Sequence, residues 1–221
     1  MTAPIRIVSE SGSKKVFVSA LDWPGWSRSG KTEEAALATL ADYTDRYQRV
    51  VDLAGEGSLP SIPEGVDIVE RLQGSGATDF GVPDRAAQCE NEPMTEEECE
   101  RQIRILRACW RYFDDVVPRV SAELRKGPRG GGRDRDEIVE HVLGADRSYA
   151  RNLGVKTPEA AVFTPDGLQA HRDAVCEAVR DHNARGVSAR KWPVRYFLRR
   201  AAWHVLDHAW EMEDKDLTPI G

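Results

Sequence analysis

Residues 195–208 read Arg195-Tyr196-Phe197-Leu198-Arg199-Arg200-Ala201-Ala202-Trp203-His204-Val205-Leu206-Asp207-His208. In an α-helix each residue advances by about 100°. With His204 at zero, Phe197 lies at about +20°, His208 at about +40°, Ala201 at about +60° and Glu211 at about −20°. Both imidazoles therefore fall inside an apolar stripe. Residues four apart on a helix have Cβ atoms about 5–6 Å apart, so two such imidazoles are able to share one ion. A lone inward histidine is ordinarily a hydrogen-bonded core residue. Burying two is costly unless each finds a partner, and a common cation supplies one.

The helical period extends outward from this stretch. The helix itself starts near Pro193 and runs to about Asp214. Far upstream, Thr95-x-x-Glu98 is a capping box. Ile103, Leu106, Trp110, Phe113, Val117, Val120 and Leu124 follow it at alternating steps of three and four. That spacing predicts one buried stripe on a helix that Pro118 kinks and Gly127-Pro128 stops. Asp134-x-x-Glu137, a second capping box, opens a helix reaching about Leu153, with Ile138, Val142, Ala145 and Tyr149 facing in. Pro165, well suited to a first helical position, opens another that ends near Asn183, with Leu168, Val175 and Ala178 inward. Four helices with one apolar stripe each predict a bundle. His141 sits on or beside the inward stripe of the second. His171 and His182 share the third, where they compete with His141 for the place of a third ligand. His182 also has a simpler reason to be there, because a cation is favoured near a helix C-terminus.

The first part of the chain alternates instead. Ile5–Val8 and Val16–Leu21 read as strands around the turn chemistry of Ser11–Lys14. Trp23–Gly30 reads as a loop or short strand, Thr32 as the cap of a helix running to about Ala54, and Gly65–Leu72 as a further strand. Gly74, Gly76, Gly81, Pro83 and Pro93 give residues 74–93 the composition of a linker.

Two resemblances attach to these segments. Glu137-Ile138-Val139-Glu140-His141 after a charged turn, together with residues 195–208, resembles the DinB-like four-helix bundles, which include the YfiT-like proteins and the mycothiol-dependent maleylpyruvate isomerase. The resemblance covers residues 95–221. It implies a divalent metal held by His141, His204 and His208, which leaves out His171 and His182. It also implies a transfer or isomerisation that uses a low-molecular-weight thiol, mycothiol or another. Leu21-Asp22-Trp23-Pro24-Gly25-Trp26 followed by Ser29-Gly30-Lys31-Thr32-Glu33-Glu34-Ala35 resembles the HicB-like fold over roughly residues 5–75. HicB antitoxins usually add a DNA-binding segment, and no basic helix of that kind is found here.

Three imidazoles leave a metal with open positions, as catalytic sites do and structural zinc sites do not. Imidazole ligands favour zinc or nickel. On the helix of residues 195–208, Glu211 is placed to support a ligand or accept a proton, Arg200 to hold a carboxylate of substrate or thiol, and Asp207 to orient an imidazole. An ordinary ion pair near the mouth would equally account for Arg200 and Glu211. Glu137 is already explained by its capping box. Arg195 and Arg199 point away from the histidines and sit near a helix N-terminus, where a cation is mildly unfavourable. Cys109 and Cys176 lie beside apolar residues and read as core filler.

The bulk numbers exclude some functions. The 221 residues carry a formal net charge of −6, a poor match to nucleic-acid phosphates. Residues 1–90 hold 9 basic and 14 acidic side chains, so the first part is no basic module either. Four cysteines without a Cys-x-x-Cys pair read as free thiols of a reducing compartment. No signal core or membrane-length apolar run is found, which points to the cytoplasm.

The expected architecture is α+β. A β-β-β-α-β HicB-like domain spans residues 1–75, a linker 76–94 and an antiparallel DinB-like bundle 95–221. The expected function is a metal-dependent thiol S-transferase or isomerase, with a non-enzymatic regulatory or antitoxin-like metal protein as the alternative. The partners this allows are a small-molecule substrate and, as a homodimer, a second copy of the chain.

Overall fold

The computed structural model describes residues 4–60, 62, 65–186 and 191–218. It is a mixed α+β structure. Strands β1 (Ile5–Ser11), β2 (Val16–Ala20), β3 (Ser27–Gly30) and β4 (Val66–Gln73) form one sheet in the order β3-β2-β1-β4. The β1/β2 and β2/β3 pairs are antiparallel, with Ile7 opposite Ala20 and Val18 opposite Arg28. The β1/β4 pair is parallel, so the connection from β3 to β4 crosses over through α1 (Glu33–Asp42) and α2 (Thr44–Ala54).

Two helices stand where one was expected from Thr32 to Ala54. The ladder is interrupted at Tyr43, whose ψ is 5°, while the Thr44 hydroxyl donates to the Ala41 carbonyl at 2.7 Å. Side-chain hydrogen bonding of that kind competes with helix continuation. The Thr32 cap is as expected, its side chain accepting from the Ala35 amide.

After β4 come a short α3 (Gly76–Asp79), a 3-10 turn (Gln88–Asn91) and then α4 (Glu96–Val116), α5 (Arg135–Ala150), α6 (Pro165–Ala184) and α7 (Val194–Lys215). The Pro118 expectation needs correction. Helix α4 ends at Val116 rather than continuing through a kink, and Val120 is extended at φ −97°, ψ 153°. Proline lacks the amide that would bond the Asp114 carbonyl, and its ring crowds that same group. Val120 and Leu124 are still buried, but as parts of an irregular segment. Among the described residues no helix is long and apolar enough to cross a membrane.

Helix α7 is the axis of the molecule. From Tyr196 to Leu206 its residues are buried without a break, which requires cover on every face. Helices α4, α5 and α6 pack on it. The sheet side contributes Phe17, whose ring meets Trp203 edge-on at 6.1 Å, and Gly25. At Gly25 (φ +95°) an added Cβ would stand 2.7 Å from Leu206 Cδ1, so the Pro24-Gly25 turn fits against α7 only as glycine. From β3, Arg28 inserts between Tyr43 and Trp210, 3.8 and 4.1 Å from the ring centroids, and donates to Asp207 at 2.8 Å. One continuous hydrophobic cluster runs from Ile5 and Ile7 through Leu40 and Val50 to Ile103, Phe197 and Met212.

Residues 76–94 are not a free tether. Glu10 of β1 accepts from the Thr78 hydroxyl and from the amides of Asp84 and Arg85. Asp79 accepts from the Lys14 amide at 2.6 Å. Ala87 and Glu90 are buried. The glycines and prolines there make turns inside a packed crossing, and composition does not distinguish that from a linker. The crossing also accounts for the two arginines near the start of α7. Arg199 forms a bidentate pair with Glu90 at 2.7 and 2.8 Å, both side chains only 3% exposed. Arg195 pairs with Glu98 and donates to the Glu92 carbonyl.

Two predictions follow from these buried charges. Removing one partner of a buried ion pair costs about 3–5 kcal/mol, so Glu90→Ala should lower the melting temperature by roughly 10 °C. The double variant Glu90→Leu/Arg199→Met should recover most of that loss. A single variant that melts like the parent would show the pair to be without weight. Asp146 of α5 is also buried. Burial pushes its carboxyl up to about 7, against the opposing influence of Arg172 and of the hydrogen bond from Trp110. A carboxyl raised in the folded state binds its proton more tightly there than in the unfolded chain. Stability should therefore fall as pH rises from about 4, the unfolded value, to about 7. Melting curves of Asp146→Asn across that window should lack this component.

Candidate metal centre

Helix α5 starts after Asp134, whose amide is capped by the Glu137 carboxylate at 2.9 Å, while the Asp134 carboxylate turns outward to accept from the Leu124 amide at 3.0 Å and pair with Lys126. The helix start at Arg135 puts His141 in the second turn, with its ring against those of His204 and His208 on α7. The packing of α7 supplies His204 and His208 one turn apart. The ring centroids are 5.0 Å apart for His141 and His204, 4.9 Å for His141 and His208, and 4.7 Å for His204 and His208. One nitrogen from each of the three lies within 4.8 Å of the others. His141 Nε2 and His204 Nε2 are 3.2 Å apart.

These residues fit a metal ion. Zinc–imidazole bonds of about 2.0–2.1 Å at tetrahedral angles place ligand nitrogens about 3.3 Å apart, and the His141–His204 pair already stands at that spacing. Ligand imidazoles must be neutral. Burial lowers the basicity of His204 far below the ordinary value, with further help from His208 and His141, and burial likewise lowers His141. The Nδ1 of His208 is 2.7 Å from Glu211 Oε2, and Glu211 is held in turn by Lys215 at 2.6 Å. With its Nδ1 proton on Glu211, His208 presents the Nε2 lone pair to the centre. The hydrogen bond to His208, ahead of that to Lys215, pulls the Glu211 carboxyl down to about 2 against its partial burial.

No family model, curated protein or solved structure matches the chain. The centre therefore rests on its geometry.

The other candidates have distinct places. His171 bonds Thr157 Oγ1 through Nδ1 at 2.7 Å, and burial pushes it down to about 4. His182 Nε2 donates to the Leu153 carbonyl at 3.2 Å. Neither joins the cluster. Asp207 does not orient an imidazole, because it pairs with Arg28. Arg200 lies one turn before His204, bonded to the Pro83 carbonyl and the Tyr149 hydroxyl. Cys109 and Cys176 are buried, and burial raises both thiols, so neither is a ready nucleophile.

Two neighbours were not foreseen. The ring of Tyr149 meets His204 edge-on at 5.6 Å, and Trp192 meets Tyr149 at 5.3 Å. Tyr149 reads from the sequence as an ordinary inward residue of α5, and its place two turns after His141 was the only signal of more. Trp192 precedes α7 and carries no periodic signal.

His141→Ala, His204→Ala and His208→Ala should each abolish binding of a divalent ion, whereas His171→Ala and His182→Ala should not. Glu211→Gln should keep the ion but weaken it by about 10–100-fold, the usual effect of losing the carboxylate behind a ligand imidazole. Competition with a chromophoric chelator measures all six. Retention of the ion by His141→Ala together with its loss in His171→Ala would move the site to α6.

Proposed function

We propose that the chain is a divalent-metal protein, with zinc or nickel at His141, His204 and His208, that acts as a transferase or isomerase using a low-molecular-weight thiol such as mycothiol. The observation that carries this reading is the convergence of three imidazoles from two helices, without a fourth protein ligand in the cluster among the described residues. A closed structural site would use a fourth side chain. A bound divalent ion would supply Lewis-acid chemistry, lowering the pKa of a thiol enough to make it a nucleophile near neutral pH. The protein's own part is to disfavour the cations of His204 and His141 by burial, to fix His208 through Glu211, and to admit ligand past half-buried His141.

In this reading α4–α7 are an antiparallel DinB-like bundle. Residues 1–75 are a HicB-like unit that covers one face of α7, and residues 76–94 cross between the two. The setting is the cytoplasm, and the partner is a small molecule.

The test is elemental analysis of protein purified without chelator, followed by a thiol-transfer screen with mycothiol and other small thiols, before and after metal removal. The expected result is about one zinc or nickel per chain and thiol consumption only by the loaded protein. Metal-free protein that takes up no ion on titration would end the reading. A loaded protein inert toward every thiol would keep the centre and remove the transferase.

A further inference from the structure

Three arginines occupy the first two turns of α7, and they are not treated alike. Arg195 has Glu98 and Arg199 has Glu90. Arg200 is also buried, 9% exposed, yet among the described residues its partners are all neutral, the Trp203 ring at 4.9 Å among them. Its Nη1 donates to the Pro83 carbonyl at 2.9 Å, its Nη2 donates to the Tyr149 hydroxyl at 3.3 Å, and its Nε has no partner. A buried guanidinium without a counter-charge costs several kcal/mol. The fold supplies carboxylates to the two neighbours that face away from the histidines and withholds one from the arginine that faces them.

The surroundings of Arg200 connect it to the histidines. It stands four residues before His204, so its level on the helix is about 6 Å from that of the imidazole. Tyr149 bridges the two, its ring against His204 and its oxygen accepting from Arg200. That donation polarises the phenol, and its own O–H has no acceptor among the described residues. Half-buried Trp192 extends the same wall, in contact with both Tyr149 and Tyr196. Near the centre the carboxylate of Glu211 already has Lys215 as its counter-charge, so the charge left without a partner is positive.

We propose that Arg200 and Tyr149 form a carboxylate-binding subsite, so that the small molecule reaching the three histidines carries a carboxylate about one helical turn from the atom it presents to them. The inference rests on the metal-centre reading and adds to it the substrate class: a short carboxylate-bearing molecule, clamped by the Arg200 Nε–H and the Tyr149 O–H and lying along the Tyr149–Trp192 wall.

The experiment uses the full chain loaded with cobalt(II), whose visible spectrum reports the ligand field and whose sulfur-to-metal band reports thiol binding. Two probes of similar length are titrated, 3-mercaptopropionate and 2-mercaptoethanol. Charge-assisted hydrogen bonds are worth about 1.5–3 kcal/mol, so the parent protein should prefer the carboxylate by about tenfold or more. Arg200→Met should bind both probes alike, and Tyr149→Phe should weaken 3-mercaptopropionate by roughly three- to tenfold, with cobalt stoichiometry unchanged in both. Equal affinity of the parent for the two probes would overturn the subsite while leaving the metal centre standing, as would a preference that survives both substitutions. A parent that takes up no cobalt would overturn both. The comparison within the parent protein needs no variant to fold.

Discussion

A helix buried on every side is a demanding element when it also carries arginines and histidines, and the rest of this structure follows from meeting that demand in α7. Each polar group placed there must find a partner without help from water. Arg199 reaches Glu90, Arg195 reaches Glu98, and His208 reaches Glu211. The partners come from three different places: the crossing segment, α4 and α7 itself. The crossing and α4 are thereby fastened to one axis, Arg28 of β3 joins it through Asp207, and one hydrophobic cluster runs between the sheet and the helices.

The same demand gives the site its chemistry. Burial disfavours the cations of His204 and His141, and a neutral imidazole is a metal ligand. A pair of nitrogens 3.2 Å apart is tolerable without an ion only if one donates to the other, which uses up a lone pair that a cation would take. The buried Nδ1 of His204, with no hydrogen-bond partner, is the weaker side of the arrangement, and Glu211 behind His208 is the stronger.

What could be read from the sequence was local. His204, His208 and Glu211 are related by helical spacing and were legible along with the order of the main strands and helices, whereas spacing left His141 in competition with His171 and His182, and only the packing of α5 on α7 separates them. Interactions between distant segments were not. Glu90 and Arg199 are 109 positions apart, and nothing in either neighbourhood marks the other. Asp207 carried a plausible local role beside two histidines, but its partner comes from β3. Pro118 marked a disturbance in α4 without saying whether the helix would bend or stop. Tyr43 and Thr44 sit in an unbroken helical pattern, and the break between α1 and α2 depends on where their side chains find partners in three dimensions. The glycines of residues 74–93 signalled turns, and composition alone does not tell turns that pack from turns that hang free.

At the far edge of the sheet, the pairing of β1 with β4 shifts register between Ile7 and Val8, which face Ile68 and Glu70 and leave Val69 over. That extra residue bends a strand whose outer side has no neighbour in the sheet order. A straight edge of eight residues with Val66, Ile68, Val69 and Leu72 along it would be a template for a strand from another molecule; a bulged one with Asp67 and Arg71 beside the bulge is a poor template. The irregularity thus works against chain-to-chain polymerisation at one of the two edges that the sheet has among the described residues.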